Sequence, residues 1–326
     1  MRAVVITQPG GPEVLELRDV PTPEPSLGEV RVRIRACAVN RADLLQRLGA
    51  YPAPPGSPKD IPGLEIAGEV DAVGPGAVEH AVGDRVFGVV GGGAYAENVV
   101  VHARTLAKMP SGMDFATAAA IPEAFVTAYD AMVVQCGLGA SETVLVHAAG
   151  SGVGTAAIQI ARAIGARPIG TARDAKKLER AKPLGLDHGI VPNNGAFADA
   201  VRTHTKGRGV DVVLELVGGA YVPESLASMA DRGRLVLVGL TAGTQAEVNL
   251  ATILRRRLHI VGTVLRARPL EEKILAAQVL EKNLVPLFER GALAPVIDTT
   301  LPLADARIAH ERMGANDTFG KIVLTC

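Results

Sequence analysis

The chain has 326 residues, enough for about two domains rather than one small core. Hydrophobic residues make up 48% and charged residues 21%, and 34 basic side chains balance 34 acidic ones. That balance gives no electrostatic pull towards nucleic acid or an anionic membrane surface, and the absence of Trp argues against a base-stacking platform. No apolar stretch approaches the roughly 20 residues of a membrane span. The opening MRAVVITQPGG breaks at Pro9 after a short apolar run, unlike a signal peptide, so a reducing cytoplasm is expected. Cys37, Cys136 and Cys326 are too widely spaced for a disulfide framework or a zinc ribbon.

Residues 1 to about 120 read as mainly β. Strands are predicted at 2–7, 13–19, 29–38, 64–73, 84–90 and 94–101, separated by Gly/Pro turns such as Pro9-Gly10-Gly11-Pro12 and Gly91-Gly92-Gly93. A helical turn or two over 40–48 carries Asp43, and a proline-rich loop from Tyr51 to Gly56 follows it. Many short strands with such turns suggest a barrel-like fold. From Asp114, a candidate N-cap, the period changes to helical over 115–121 and 124–134.

Strands and helices then alternate. Strands are predicted at 143–148, 167–171, 188–191, 210–217, 234–239 and 259–264, with helices at 153–164, 174–184, 196–205, 221–230 and 251–257. The pattern is that of an α/β fold with a doubly wound, six-stranded parallel sheet. A longer helical region over 270–290 is interrupted at Pro286, and a strand, helix and strand close the chain at 296–301, 304–313 and 321–324. The last elements are expected to fold back on the first domain. The organisation would then be 1–120, an inserted nucleotide domain over 121–265, and 266–326.

The stretch from Glu142 to Gly165 has the order strand, glycine turn, helix of a dinucleotide-binding βαβ unit. Its glycines would let the backbone approach a pyrophosphate, which the helix N-terminus favours. The spacing departs from G-x-G-x-x-G, with Ala149 and Ser151 where glycines are wanted, and an ordinary βα turn is the competing reading. At the next strand tip, Ala172 stands where an NAD-binding fold places a ribose-binding carboxylate. Arg173 and Lys177 beside it suit a 2′-phosphate, which points to NADP(H) rather than NAD(H). As solvated surface charges they would carry no such meaning. If Asp174 pointed at the ribose instead, the preference would weaken.

The seven histidines include no H-x-x-H or H-E-x-x-H pair, and no G-x-S-x-G elbow occurs. His147, at a strand end, reads as a packed core histidine, and Cys37 as a small buried hydrophobe.

Taken together, several segments are similar to one family. They are Asn40-Arg41-Ala42-Asp43, Leu64 to Gly68, Gly92 to Glu97, Ala119 to Ala124, His147-Ala148 with Ser151 to Gln159, and Gly320 to Leu324. The chain resembles, from end to end, the medium-chain dehydrogenase/reductase superfamily. Within it, it resembles the zinc-independent NADPH:quinone oxidoreductases related to zeta-crystallin, most of all the p53-inducible quinone oxidoreductase group. The resemblance implies a GroES-like β-rich catalytic domain beside a Rossmann domain. Zinc dehydrogenases of this superfamily have a cysteine where this chain has Asn40 and a histidine where it has Leu64, so no metal is implied.

The resemblance places Asn40 and Thr127 near the nicotinamide, Gly150, Ser151, Gly152 and Val153 at the pyrophosphate, and Lys177 at the 2′-phosphate. It implies backbone contacts along the cofactor from Val238, Gly239 and Leu240 and from Val264, Leu265 and Arg266, with a further contact from Asn316. Tyr51 matches a tyrosine at the mouth of the quinone pocket and would orient the acceptor; the alternative for it is packing on Pro52 and Pro54. Pro192 replaces a tyrosine that many relatives set against the 2′-phosphate, Arg173-Asp174 replace a glycine-serine pair, and Leu45 replaces a second pocket tyrosine. The expected activity is metal-free hydride transfer from NADPH to an electron-poor acceptor, most simply a quinone, by a homodimer paired through one edge of the nucleotide sheet. An enone, alkenal or enoyl-thioester reductase is the enzymatic alternative, and an NADPH-dependent sensing or RNA-binding protein the non-enzymatic one.

Overall fold

The computed structural model describes residues 1–326. The chain divides into two compact units, Met1–Val126 with Leu265–Cys326, and Thr127–Val264.

The first unit is built on the strand Glu29–Val39, whose EVRVRIR run alternates with period two. Val30, Val32 and Ile34 point into the core, at most 2% exposed, while the arginines between them face outward. This strand pairs antiparallel with Glu65–Val73, Asn98–His102 and the C-terminal strand Lys321–Thr325. The last pairing sets Ile322 opposite Val39, which carries Lys321 to the start of the helix Arg41–Arg47. The sheet continues to Ile297–Pro302 on one side and through Arg85–Val89 to Ala107–Lys108 on the other.

Residues 94–97 lie outside the strand expected there, which is Asn98–His102. Their backbone is bonded to loop residues and to the N-terminal strand Arg2–Ile6 instead: Tyr95 N–H donates to Pro62, the Tyr95 carbonyl accepts from Val4, and Glu97 N–H donates to Arg2. The helical region near the C-terminus runs Leu270–Val279, widens to a π turn over Leu280–Leu284, and restarts as Val285–Glu289. Pro286 has no N–H to continue an α-helical ladder, and it sits in the first turn of the restarted helix, where none is needed.

The second unit carries six parallel strands in the order His188–Ile190, Arg167–Thr171, Thr143–Val146, Val210–Glu215, Met229–Leu237, His259–Gly262. The order reverses on either side of Thr143–Val146, so the crevice at the carboxyl ends of the strands opens beside it. Leu145 lies in register with Ile169 and Val213, and Val213 with Leu235, all at most 2% exposed. The fifth strand begins at Met229, earlier than its apolar run, because Met229 pairs with Val210 before a bulge shifts the register. No helix of either unit is long and apolar enough to cross a membrane.

Candidate active site

In the second unit the strand Thr143–Val146 leads through His147 and Ala148 into the helix Gly152–Ala163. Ala148 is left-handed at φ +48°, which folds the turn tightly. Gly154 is required there, since a Cβ would stand 2.4 Å from the Ala148 carbonyl oxygen. Ser151 is the N-cap, its Oγ accepting from Gly154 N–H at 3.0 Å. The serine that breaks the glycine pattern therefore holds the turn in shape. Gly150 is buried, and Ser151, Gly152 and Val153 are half-buried. The opening N–H groups of this twelve-residue helix lack intrahelical acceptors, which makes an anion cradle.

At the neighbouring strand tip Ala172 is buried and donates its N–H to Ile190. The Asp174 carboxylate caps its own helix, Ala175–Ala181, with Oδ1 accepting from Lys176 N–H at 2.8 Å. Arg173 is exposed and Lys177 half-buried on that first turn. Sequence reasoning missed Tyr221, which follows Gly218-Gly219 and packs edge-on against His147 and at a tilt to Phe197. Burial, and then the charge of Glu215, raise its phenol pKa, while Arg173 lowers it, so Tyr221 and Arg173 share one electrostatic neighbourhood.

His147 is wholly buried, with Nδ1 2.8 Å from Thr171 Oγ1 and Nε2 2.9 Å from Ser225 Oγ. Ser225 donates to Glu215 at 2.8 Å. Serine, histidine and carboxylate meet here, but not as in a hydrolase triad: the serine donates to the carboxylate, the second histidine nitrogen bonds Thr171, and all three residues have no exposure. Burial lowers the His147 pKa, so the ring is neutral, and the other Glu215 oxygen fixes the loop by accepting from Val217 and Gly218. Val238 and Gly239 both donate to the Glu215 carbonyl, while Leu240 and Val264 are exposed. The Thr127 hydroxyl is buried without a hydrogen-bond partner, so something outside the chain is needed to satisfy it.

In the first unit a buried ionic cluster surrounds Asn40. Lys321 Nζ donates to Glu65 Oε1 at 2.6 Å, to Asn40 Oδ1 at 2.6 Å and to the Val39 carbonyl at 3.1 Å. Asn40 Nδ2 donates to Glu65 Oε1 at 2.9 Å and to the Ala38 carbonyl at 3.2 Å. The amide of Asn40 thus bonds to the cluster through both Nδ2 and Oδ1. Asp43 takes the Asn40 and Gly63 N–H groups and the Tyr95 hydroxyl, and burial pushes its pKa up to about 6.

Arg266, for which the resemblance implies backbone contacts along the cofactor, sends a buried side chain to the Gly91 and Tyr51 carbonyls and to Gln46 Oε1. Its guanidinium carbon stands 5.3 Å from the Tyr51 ring centroid, so it fixes that ring by cation–π contact as well as through the backbone. Tyr51 is half-buried, and its hydroxyl has no hydrogen-bond partner. Burial raises its pKa, as does Glu123. Leu265 leads into Arg266 and lines an adjoining, mostly apolar cleft with Val89, Val90, Lys273 and Leu280. Leu45 is exposed, and its carbonyl accepts the N–H of Tyr51. Asn316 caps a helix in the left-handed region, with its side chain bound to Arg41 and Gly314. Cys37 is fully buried, and no group of three or more His, Cys, Asp or Glu is arranged to hold a metal.

Residues 26–111 match the alcohol dehydrogenase GroES-like domain, and residues 152–281 the zinc-binding dehydrogenase domain. The human quinone oxidoreductase is 35% identical over 99% of this chain and 97% of its own. The phthioceranic/hydroxyphthioceranic acid synthase of Mycobacterium tuberculosis is 36% identical over 98% of this chain, which spans only 15% of that synthase. Among solved structures, the mycobacterial protein Rv1454c complexed with NADPH superposes with a TM-score of 0.89 at 33% identity, covering 100% of both chains. The chain belongs to the medium-chain dehydrogenase/reductase superfamily, in the quinone oxidoreductase family, and is an oxidoreductase.

Proposed function

We propose that this protein is an NADPH-dependent reductase of electron-poor acceptors, with quinones as its substrate class. The observation that carries the reading is the strand tip: Ala172 is buried where an NAD-binding fold places a carboxylate, Asp174 caps its own helix, and Arg173 and Lys177 stand in the same turn. The residues present fit the cofactor. Gly150 to Val153 would hold the pyrophosphate, Arg173 and Lys177 the 2′-phosphate, and the orphaned Thr127 hydroxyl would gain a partner from the nicotinamide end. NADPH, when bound, supplies the hydride. The chain's own groups orient the acceptor: Tyr51, held by Arg266, offers it a hydroxyl hydrogen bond. Where zinc relatives have thiolate and imidazole, Asn40 and Leu64 offer no soft ligand, so acceptors already electron-poor suit this site.

Arg173→Ala and Lys177→Ala are each expected to weaken NADPH binding about tenfold, the loss of one charge-assisted contact, and to leave NADH binding unchanged. Fluorescence titration with both cofactors checks this. Equal affinity of the unaltered protein for NADPH and NADH would sink the phosphate site. An acceptor screen over ortho- and para-quinones, enones and enoyl-thioesters tests the substrate class. Reduction of the thioesters alone would favour the second reading, an enoyl-thioester reductase, which the similarity to the synthase supports.

A homodimer is part of the proposal. His259–Gly262 is the edge of the six-stranded sheet, and Ile260 on it is exposed, as are Leu250 and Leu254 on the helix Leu250–Arg256. Such an edge seeks a partner strand. Light scattering on the eluted protein should give twice the chain mass, and Ile260→Lys should halve it. A monomeric unaltered protein would remove the dimer from the reading.

A further inference from the structure

The cradle of Gly150 to Val153 lies at the carboxyl ends of the six parallel strands. At their amino ends, the starts of Val210–Glu215 and Met229–Leu237 border an open depression of about 500 Å³. Arg202, Gly207, Arg208, Ala230, Asp231 and Arg256 line it, all of them in the second unit. The segments that supply them, 202–208, 230–232 and 255–257, hold seven Arg or Lys against one Asp, in a chain of balanced charge. A concave wall with such an excess of one sign concentrates counter-ions.

Two of the arginines are fixed but only partly used. Arg202, in the last turn of the helix Ala198–His204, donates through Nε and Nη2 to the Ala227 carbonyl at 3.1 and 2.6 Å. Its Nη1 donates to the Gly207 carbonyl at 3.2 Å. Arg256, closing the helix Leu250–Arg256, donates through Nη1 to the same Ala227 carbonyl at 3.3 Å and to that of Leu226 at 3.4 Å. Both thereby cap the helix Tyr221–Ser228, whose last carbonyls lack intrahelical donors. One guanidinium would cap that end, and the second brings two like charges onto one oxygen. Capping also uses only one edge of each fork. Arg256 Nη2 makes no hydrogen bond, and Arg202 keeps an unused N–H on each Nη. Arg208 differs, because Asp211 takes both its Nη groups, so it adds wall rather than free charge. Asp231 is the only carboxylate lining the depression. It accepts from Arg256 Nε at 3.3 Å, but its side chain is 69% exposed, so solvent leaves the pair weak.

We propose that this depression is a phosphate-binding site, in which a phosphate group takes the place of Asp231 on Arg256 and bridges to Arg202. A phosphate carries up to about two negative charges and about three free acceptor oxygens, which suits two guanidinium forks. A lone carboxylate offers half that charge. The forks are already held by the Leu226, Ala227 and Gly207 carbonyls, so binding has little left to order. The depression is larger than a bare phosphate, so it admits the free ion or a small phosphorylated molecule. It stands at the opposite strand ends from the cofactor cradle and does not depend on the reductase reading.

Calorimetric titration of the whole chain with inorganic phosphate, followed in parallel by amide NMR, tests this. Phosphate should saturate below about 10 mM and shift the amides of 202–208 and 227–232. Sulfate should compete and acetate should not. Arg256→Gln should weaken binding by at least ~10-fold, the loss of one charge-assisted contact. Asp231→Asn should tighten it by about threefold or more, because the competing carboxylate is gone while the fold keeps its helix caps. Should Arg256→Gln loosen the helix it caps, Asp231→Asn decides alone, and phosphate affinity that is unchanged or weaker in that variant overturns the proposal. Amide shifts confined to 150–154, the cofactor cradle, or the absence of saturable binding, overturn it as well. A sugar phosphate titrated beside the free ion separates the two sources. Tighter binding than inorganic phosphate assigns the site to a phosphorylated small molecule, and equal binding assigns it to the free ion.

Discussion

Replacing Lys321 by methionine should cost about 3–5 kcal/mol of folding stability, the range for removing one partner of a buried ion pair. Lys321 is 4% exposed and Glu65 not at all, and the substitution leaves the Glu65 carboxylate in the core with no cation. It also removes the donor that fixes Asn40 Oδ1. Methionine matches the lysine stem closely, so packing loss contributes little and the effect reports charge. Glu65→Gln alone should also be costly, since it strands the ammonium of Lys321. The double variant should lose clearly less than the sum of the two, because neither unpaired charge remains. Urea unfolding of the four proteins measures the cycle. A Lys321→Met loss under about 1 kcal/mol would show that the pair is not the tie between the C-terminal strand and the start of the helix Arg41–Arg47.

The second unit was readable because its strands are short apolar runs separated by amphipathic helices, a pattern that only a covered parallel sheet satisfies. The runs at Thr143–Val146 and Arg167–Thr171 show this directly. Ser151 shows a limit. By type it is a defect in a glycine fingerprint, but its hydroxyl replaces what a bare turn would lack, a cap for Gly154 N–H. Asp174 shows another: whether its carboxylate faces a ribose or its own helix depends on a side-chain torsion, which spacing does not encode.

The acid cluster was not legible at all. Glu65, Glu123 and Lys321 lie far apart in sequence, and each looks like one of many surface charges. They meet because Ile322 pairs with Val39 and because the Glu123 N–H reaches across to Glu65. The resemblance places Asn40 near the nicotinamide, and its amide also bonds within that cluster, which spacing does not reveal. The buried guanidinium of Arg266, which holds Tyr51, was equally hidden, because an arginine in a loop reads as a surface charge.

The same cluster should make folding stability fall as pH rises across neutrality, and Glu123→Gln should remove most of that slope. The Glu123 pKa is raised from 4.5 to about 8 by desolvation and by Glu65. Between those values the folded protein holds a proton that the unfolded chain has released, so the folded state binds more protons. Stability contributed by Glu123 is then fully present below its unfolded pKa and is lost as pH rises through the folded one. Each pH unit of that interval is worth about 1.4 kcal/mol, giving a total of about 3–5 kcal/mol by pH 9. A loss of that size is a large part of a typical domain's stability. Asp43, raised to about 6, acts in the same direction at lower pH, between its unfolded value and about 6. It is present in both proteins, so its share cancels when the two curves are subtracted. The difference between the unaltered protein and Glu123→Gln should therefore open between about pH 5 and pH 8, with the glutamine variant the more stable on the alkaline side. Urea unfolding at one-unit pH steps would show it. Parallel curves across that range would mean that Glu123 ionises as freely in the folded chain as in water, and that the carboxylate of Glu65 beside its N–H exerts no field on it.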